Sequence, residues 1–210
     1  MTREIAVSLV VGSIDGIFKI FSYYSFDLIW NKLTCRDCHP AVVWLTGLSG
    51  AGKTTIAEEL HRKLKKKKIK CIILDGDEIR NIFPSTGFDK ESRIKHNINV
   101  GYMAALLEKQ GYIVIVSLIS PYVDARIKCR EMANNFIETY ISTSIEVCEK
   151  RDVKGLYKKA RAGQIKDFTG IDSAYESPVT PELTIDTAVV SIEKSAEVIM
   201  KRICKRKKTS

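Results

Sequence analysis

Residues 47–54 read Gly-Leu-Ser-Gly-Ala-Gly-Lys-Thr, a complete G-x-x-x-x-G-K-[ST] phosphate loop, and this octapeptide constrains the chain more than any other feature. The apolar run Ala41-Val42-Val43-Trp44-Leu45 before it reads as a buried strand, and Thr55 to Leu64 after it reads as the first turns of a helix. That context is what the motif requires. Gly47, Gly50 and Gly52 let the backbone curl with its N–H groups turned inward, where the positive end of the following helix also favours phosphate. Lys53 reaches the β- and γ-phosphates, and the Thr54 hydroxyl suits Mg²⁺. The chain is therefore expected to bind a nucleoside triphosphate.

Further apolar runs predict strands at Val42–Leu45, Cys71–Leu74, Ile113–Ser117, Phe136–Ile141 and Leu183–Ile185. They alternate with helical stretches near Thr55–Lys68, Arg93–Gln110, Asp124–Asn134, Ile145–Arg151 and Ser191–Lys205. Such alternation predicts an α/β fold of the P-loop NTPase type, a parallel β-sheet flanked by helices on both faces. Ligands then bind beyond the carboxyl ends of the strands.

Those ends carry the remaining chemistry. Asp75 and Asp77 follow the second strand, where carboxylates facing a phosphate loop suit a Mg²⁺ hydration shell and acceptance of a proton from an attacking hydroxyl. Arg80 lies a short step further, placed to pair with an acidic substrate. The stretch from Cys148 to Arg161 concentrates cations, as a lid closing over phosphates would.

The 210 residues suffice for one α/β domain, here 39–210, preceded by a segment 1–38. The net charge of +9 is local: 61–70 holds seven Lys or Arg and 201–208 six. Subtracting these 13 from 34 leaves 21 basic against 25 acidic residues, so the runs read as solvated faces and no nucleic-acid partner is expected. Six cysteines (Cys35, Cys38, Cys71, Cys129, Cys148 and Cys204) are expected as free thiols, since a phosphate-loop enzyme works in a reducing cytosol. Cys35-Arg36-Asp37-Cys38-His39 has the spacing of haem attachment, but it lies in a linker and is read as carrying no function.

Ile5 to Trp30 is apolar and aromatic, yet Asp15, Lys19 and Asp27 interrupt it, and a spanning helix needs about 20 predominantly apolar residues. The stretch from Val11-Gly12-Ser13-Ile14-Asp15 through Lys19 and Tyr23-Tyr24 to Trp30-Asn31-Lys32 resembles the second half of a small two-helix membrane domain. Three readings of this extra N-terminal helix stand side by side. It is a membrane-associated helix, the remnant of an anchor, or an amphipathic helix packed on the catalytic domain.

From about residue 41 to 200 the chain resembles the adenylylsulfate kinases. The motifs are Trp44 through Lys53, Leu74-Asp75-Gly76-Asp77 with Arg80, and Ile115 through Tyr122. Glu146 through Asp152, Lys154 through Gly163, and Phe168-Thr169-Gly170-Ile171-Asp172 complete them. That family moves the γ-phosphoryl of ATP, with Mg²⁺, to the 3′-hydroxyl of adenylylsulfate (APS), giving 3′-phosphoadenylylsulfate (PAPS) and ADP in sulfate activation. The resemblance implies that Gly47, Leu48, Ser49, Gly50, Ala51, Gly52, Lys53, Thr54, Thr55 and Arg151 contact ATP, with Lys53, Asp75 and Asp77 catalytic. It implies an APS site of Arg80, Phe88, Arg93, Asn97, Ile119, Lys154 and Phe168, with Phe88 and Phe168 sandwiching the adenine. Thr54 and Asp75 would hold Mg²⁺, partly through water.

The family often assigns a phosphoserine intermediate to the position of Ser120. Direct in-line transfer needs only positioning and charge stabilisation, and no base is evident beside Ser120, so direct transfer is expected. One departure stands out. Where the family has Asn-Ile-Arg-Arg, this chain reads His96-Asn97-Ile98-Asn99-Val100. Without a gap His96 falls at the family's substrate-contacting Asn and Asn97 one position later, and both arginines are missing, which implies weaker affinity for the sulfated nucleotide or a somewhat different acceptor. The resemblance further implies a cytoplasmic homodimer with a sulfate adenylyltransferase partner, peripheral to the inner face of the membrane if residues 5–30 associate with it.

Overall fold

A computed structural model describes residues 38–82 and 87–204. The expected N-terminal helix lies outside the described residues. The chain divides into two units, Met1–Arg36 and Asp37–Ser210, and the described residues all belong to the second.

In chain order the elements are β1 (Ala41–Thr46), α1 (Lys53–Lys66), β2 (Cys71–Asp75), α2 (Gly76–Ile82), α3 (Lys90–Lys109) and β3 (Ile113–Ser117). Next come α4 (Val123–Met132), β4 (Phe136–Ile141), α5 (Ile145–Arg151), α6 (Leu156–Arg161), β5 (Leu183–Ile185) and α7 (Ile192–Ile203). All strand pairs are parallel, in the order β2-β3-β1-β4-β5. The chain leaves β1 for one side of the sheet and, after β3, crosses to the other. The carboxyl end of β1 is therefore the switch point at which such sheets bind ligands.

Side chains alternate across a strand, and both faces of β1 are covered, so it reads as an unbroken apolar run. Val43 and Leu45 point to a core made with Ile56, Ala57, Leu60 and Leu64 of α1 and Ala196, Ile199 and Ile203 of α7. Val42 and Trp44 point the other way, to Val100 and Ala104 of α3, Cys129 of α4 and Phe136. Each such Leu or Ile contributes roughly 1.5–3 kcal/mol on burial. The α1–α7 layer fixes the helix behind the phosphate loop, and the α3–α4 layer fixes the wall facing it.

Helix α3 begins at Lys90, one turn earlier than the apolar periodicity predicts, because the Asp89 carboxylate caps it by accepting from the Ser92 amide at 2.9 Å. Two elements were not expected, α2 and α6, each under eight residues. The expectation of free thiols is corrected for Cys38 and Cys204, which form a disulfide across 166 residues of sequence with Cα atoms 4.1 Å apart. The physical reason is topological. α7 runs back along the sheet to the edge where β1 starts, a return that spacing alone does not reveal. Cys71, Cys129 and Cys148 are free, and burial pushes the Cys129 thiol up to about 12.

Candidate active site

The phosphate loop lies between β1 and α1. Gly47 (φ 152°) and Gly50 (φ 75°) hold conformations closed to most side chains, and a Cβ on Gly47 would sit 2.5 Å from the Ile141 carbonyl oxygen. No side chain caps α1, so its first N–H groups are left for an anion. Lys53 is buried and folds back over the loop, its Nζ donating to the carbonyls of Gly47 at 3.0 Å and Leu48 at 2.8 Å. Burial lowers its pKa to about 8.

The parallel register places Asp75 beside Ser117 at the carboxyl ends of β2 and β3. Thr54 Oγ1 donates to Asp75 Oδ2 at 3.1 Å and lies 3.2 Å from Ser117 Oγ. Two hydroxyls and a carboxylate form an all-oxygen set suited to a hard cation that keeps several of its waters, so the residues present fit Mg²⁺. The other carboxylate oxygen of Asp75 accepts from the Asp77 amide at 3.0 Å. Asp77 in turn forms an ion pair with Lys154, which spans from α2 to the turn before α6 and raises the lysine's pKa.

Just before α3, Phe88 is exposed with the Arg80 guanidinium 4.7 Å and the Arg93 guanidinium 5.7 Å from its ring centre. Arg93 is more committed than the sequence suggests. Its Nε donates to the Phe88 carbonyl, Nη1 to Thr169 Oγ1 at 2.9 Å and Nη2 to the Asp167 carbonyl at 2.6 Å. It therefore braces Phe88 against the loop carrying Phe168, with two of its five N–H donors left over. Phe168 is buried and meets the edge of Tyr157 at 5.0 Å.

Asn97 and Ser120 are both buried, and the Asn97 amide donates to Ser120 Oγ at 3.1 Å. His96 is buried as well. Its Nε2 has no partner among the described residues, and burial, reinforced by the nearby Arg80, lowers its pKa to about 4. Ile119 is half-buried, and its carbonyl accepts from Thr46 Oγ1 at 2.8 Å. Arg151 lies at the outer side of the loop, donating to Thr187 Oγ1 at 2.8 Å and to the Gly50 carbonyl at 3.4 Å.

Four residues of this region were not expected from the sequence. Ser117 closes the oxygen cluster. The Tyr157 hydroxyl donates to the Ser49 carbonyl at 2.9 Å, joining α6 to the phosphate loop. Thr187 reaches the Ala51 carbonyl at 2.8 Å. Arg126 donates to the Ser120 carbonyl at 2.6 Å while paired with Glu138 at 2.8 Å, holding Ser120 at φ 48°, which few non-glycine residues adopt. Ser117 alone was open to sequence reasoning, as a hydroxyl closing a strand at the ligand-binding edge.

A sequence profile of the adenylylsulphate kinase family matches residues 39–186. The chain belongs to that family. It is 48% identical over 162 residues to the adenylyl-sulfate kinase of Rippkaea orientalis, which covers 77% of this chain and 90% of that protein. With the probable adenylyl-sulfate kinase of Pyrococcus abyssi it shares 47% over 161 residues, 76% of this chain and 92% of the relative. Its fold is similar to that of the Mycobacterium tuberculosis APS kinase solved with AMPPNP and APS. The TM-score is 0.75 at 38% identity, covering 78% of this chain and 97% of the other. As an adenylylsulfate kinase the chain is an ATP-dependent transferase of sulfate activation.

Proposed function

We propose that this chain transfers the γ-phosphoryl group of ATP directly to the 3′-hydroxyl of adenylylsulfate, using Mg²⁺ held by Thr54, Asp75 and Ser117. The observation that carries the reading is the register-fixed meeting of Thr54, Asp75 and Ser117 at the phosphate loop. The Gly47–Thr55 backbone and Lys53 hold the β- and γ-phosphates, and Arg151 borders the nucleotide beside Gly50. When bound, the metal neutralises charge on the β- and γ-phosphate oxygens. Asp75 takes the proton of the 3′-hydroxyl as the 3′-oxygen–phosphorus bond forms and the bond to the β-phosphate oxygen breaks, releasing ADP. Asp77 keeps Asp75 and Lys154 in place. Phe88 and Phe168 hold the adenine, and Arg80 and Arg93 face the phosphosulfate.

In the cell we place the enzyme in the cytoplasm as a homodimer fed by a sulfate adenylyltransferase, with residues 5–30 associating with the membrane. No helix among the described residues is long and apolar enough to cross a membrane. A coupled ADP-release assay comparing adenylylsulfate, AMP and adenosine tests the acceptor: adenylylsulfate is expected to be turned over fastest, and equal turnover of AMP would overturn the assignment.

A further inference from the structure

The two lysine-rich runs, far apart in the sequence, meet in space. α1 starts at the phosphate loop and ends at Lys66, just before β2 begins at the opposite edge of the sheet. α7 runs the same way: Thr187 touches the phosphate loop before it starts, and Cys204, bonded to Cys38, follows its end. The helices lie side by side, with Lys63 Nζ 3.4 Å from Glu197 Oε1. One turn further on, Lys66 and Lys67 come level with Lys201. Lys65, Lys66, Lys67, Lys70 and Lys201 are all exposed, and none is in an ion pair with a described acidic residue. Around the corner Lys109 and Arg202 line one cleft of about 480 Å³ with His39 and Pro40. Glu108, also in that cleft, accepts from the Asn134 and Asn135 amides at 2.9 and 2.7 Å, which fixes its carboxylate without removing its charge. Cations from three helices thus gather at the end of the sheet away from the active site, outnumbering the one carboxylate, Glu108, that lines the cleft with them.

We propose that this face is a docking surface for an anionic membrane, an inference that rests on the membrane association assigned above to residues 5–30. Charge complementarity is one ground, and the course of the chain is the other. Cys38, the first described residue, lies against the end of α7 on this face, its Cα 4.1 Å from that of Cys204, a proximity that does not depend on the redox state of the pair in the cytoplasm. The 26 residues from Ile5 to Trp30 that precede it are mostly apolar or aromatic. In the sequence Lys205, Arg206, Lys207 and Lys208 come directly after Cys204. Durable attachment at an interface takes two signals, an apolar insertion and a polybasic patch, and each alone is marginal. The arrangement also leaves the phosphate loop, about 20 Å away at the other end of the 14-residue α1, open to substrates from the water.

The test is co-sedimentation of the full-length chain with phosphatidylcholine vesicles and with vesicles containing phosphatidylglycerol, in low and high salt. The comparison is a Lys66→Glu, Lys67→Glu, Lys70→Glu, Lys201→Glu variant, with the four corresponding Gln changes as a milder second variant should the first not fold. Wild type is expected to prefer the anionic vesicles and to be released by salt. A lysine near an anionic surface is worth roughly fivefold in partitioning, so either variant is expected to lose well over tenfold, with kcat unchanged. Equal binding to both vesicle types, or a variant that partitions like wild type, would overturn the proposal while leaving residues 5–30 as the sole contact. A chain that binds no vesicles at all overturns the membrane reading and this face with it. Tighter, variant-sensitive binding to a single-stranded RNA than to either vesicle would assign the face to nucleic acid instead.

Discussion

The side-chain amide of Asn97 donates to the hydroxyl of Ser120 at 3.1 Å, and both residues are buried. A hydroxyl held as an acceptor in a closed site, with no carboxylate or imidazole bonded to it, is not prepared to attack phosphorus. The same bond gives Ser120 another role, since it joins α3 to the loop after β3. Ser120→Ala is therefore expected to lower kcat by no more than about tenfold, the worth of one neutral hydrogen bond. Intact-mass measurement after incubation with ATP alone is expected to show no phosphorylated enzyme. A stoichiometric phosphate on Ser120 would overturn direct transfer.

Asp75 meets Thr54 and, through the strand register, Ser117. Its expected work lies on the metal and on the attacking hydroxyl, not in holding nucleotide. Asp75→Asn should cut kcat on the order of 10²-fold or more while changing the Kd for ATP far less. Lys53→Ala should abolish turnover. Steady-state kinetics with a parallel binding measurement separate the two effects, and a wild-type rate in the Asp75 variant would remove it from the site.

How far the sequence carried differs between layers of the structure. All five strands fall within a residue of their apolar runs, and for β1, β3 and β4 the reason is that a strand buried on both faces writes its length directly into composition. The short helices α2 and α6 were not legible, since one follows directly on β2 with no break and the other lies in a run dominated by cations. The phosphate loop and its carboxylates could be read because their chemistry needs fixed residues at fixed spacing. Tyr157, Thr187 and Arg126 could not, since each acts through a contact with a loop distant in the chain. The pairing of Cys38 with Cys204 was missed for the same reason: only the direction of α7 brings them together.

That disulfide closes most of the domain into one loop. In the chain-entropy account a crosslink of this span removes about 5 kcal/mol of unfolded-state freedom, and native disulfides typically contribute roughly 2–5 kcal/mol. Denaturant unfolding of the full chain with and without reductant is expected to show a loss in that range, and Cys38→Ser should reproduce it without reductant. Equal midpoints under both conditions would show that the bridge constrains nothing.

Tyr157 links the two halves of the site, its hydroxyl on the Ser49 carbonyl and its ring on Phe168. Tyr157→Phe keeps the ring contact and removes one buried hydrogen bond, so a several-fold rise in KM for ATP with little change for adenylylsulfate is expected. Tyr157→Leu removes both contacts and should raise both KM values. Identical kinetics for the two variants would mean that the hydroxyl and the ring do not act separately.

Lys53 gives the pH dependence. Its ammonium is the form that holds phosphate, and burial lowers its pKa from 10.5 to about 8 in the nucleotide-free enzyme. Below that value the lysine is already charged, so ATP affinity gains nothing from further acidification of this group. Above it, binding must take up a proton, because the phosphates draw the pKa back up. The Kd for a non-hydrolysable ATP analogue is therefore expected to be level near pH ~7.5 and to climb by up to about tenfold per unit above pH ~8. Lys53→Arg keeps its charge throughout and should bind with a level profile, whatever its absolute affinity. A Kd for the wild-type enzyme that stays constant to about pH 9.5 would mean that Lys53 keeps its proton without the nucleotide, and that the carbonyls of Gly47 and Leu48 hold it charged against burial.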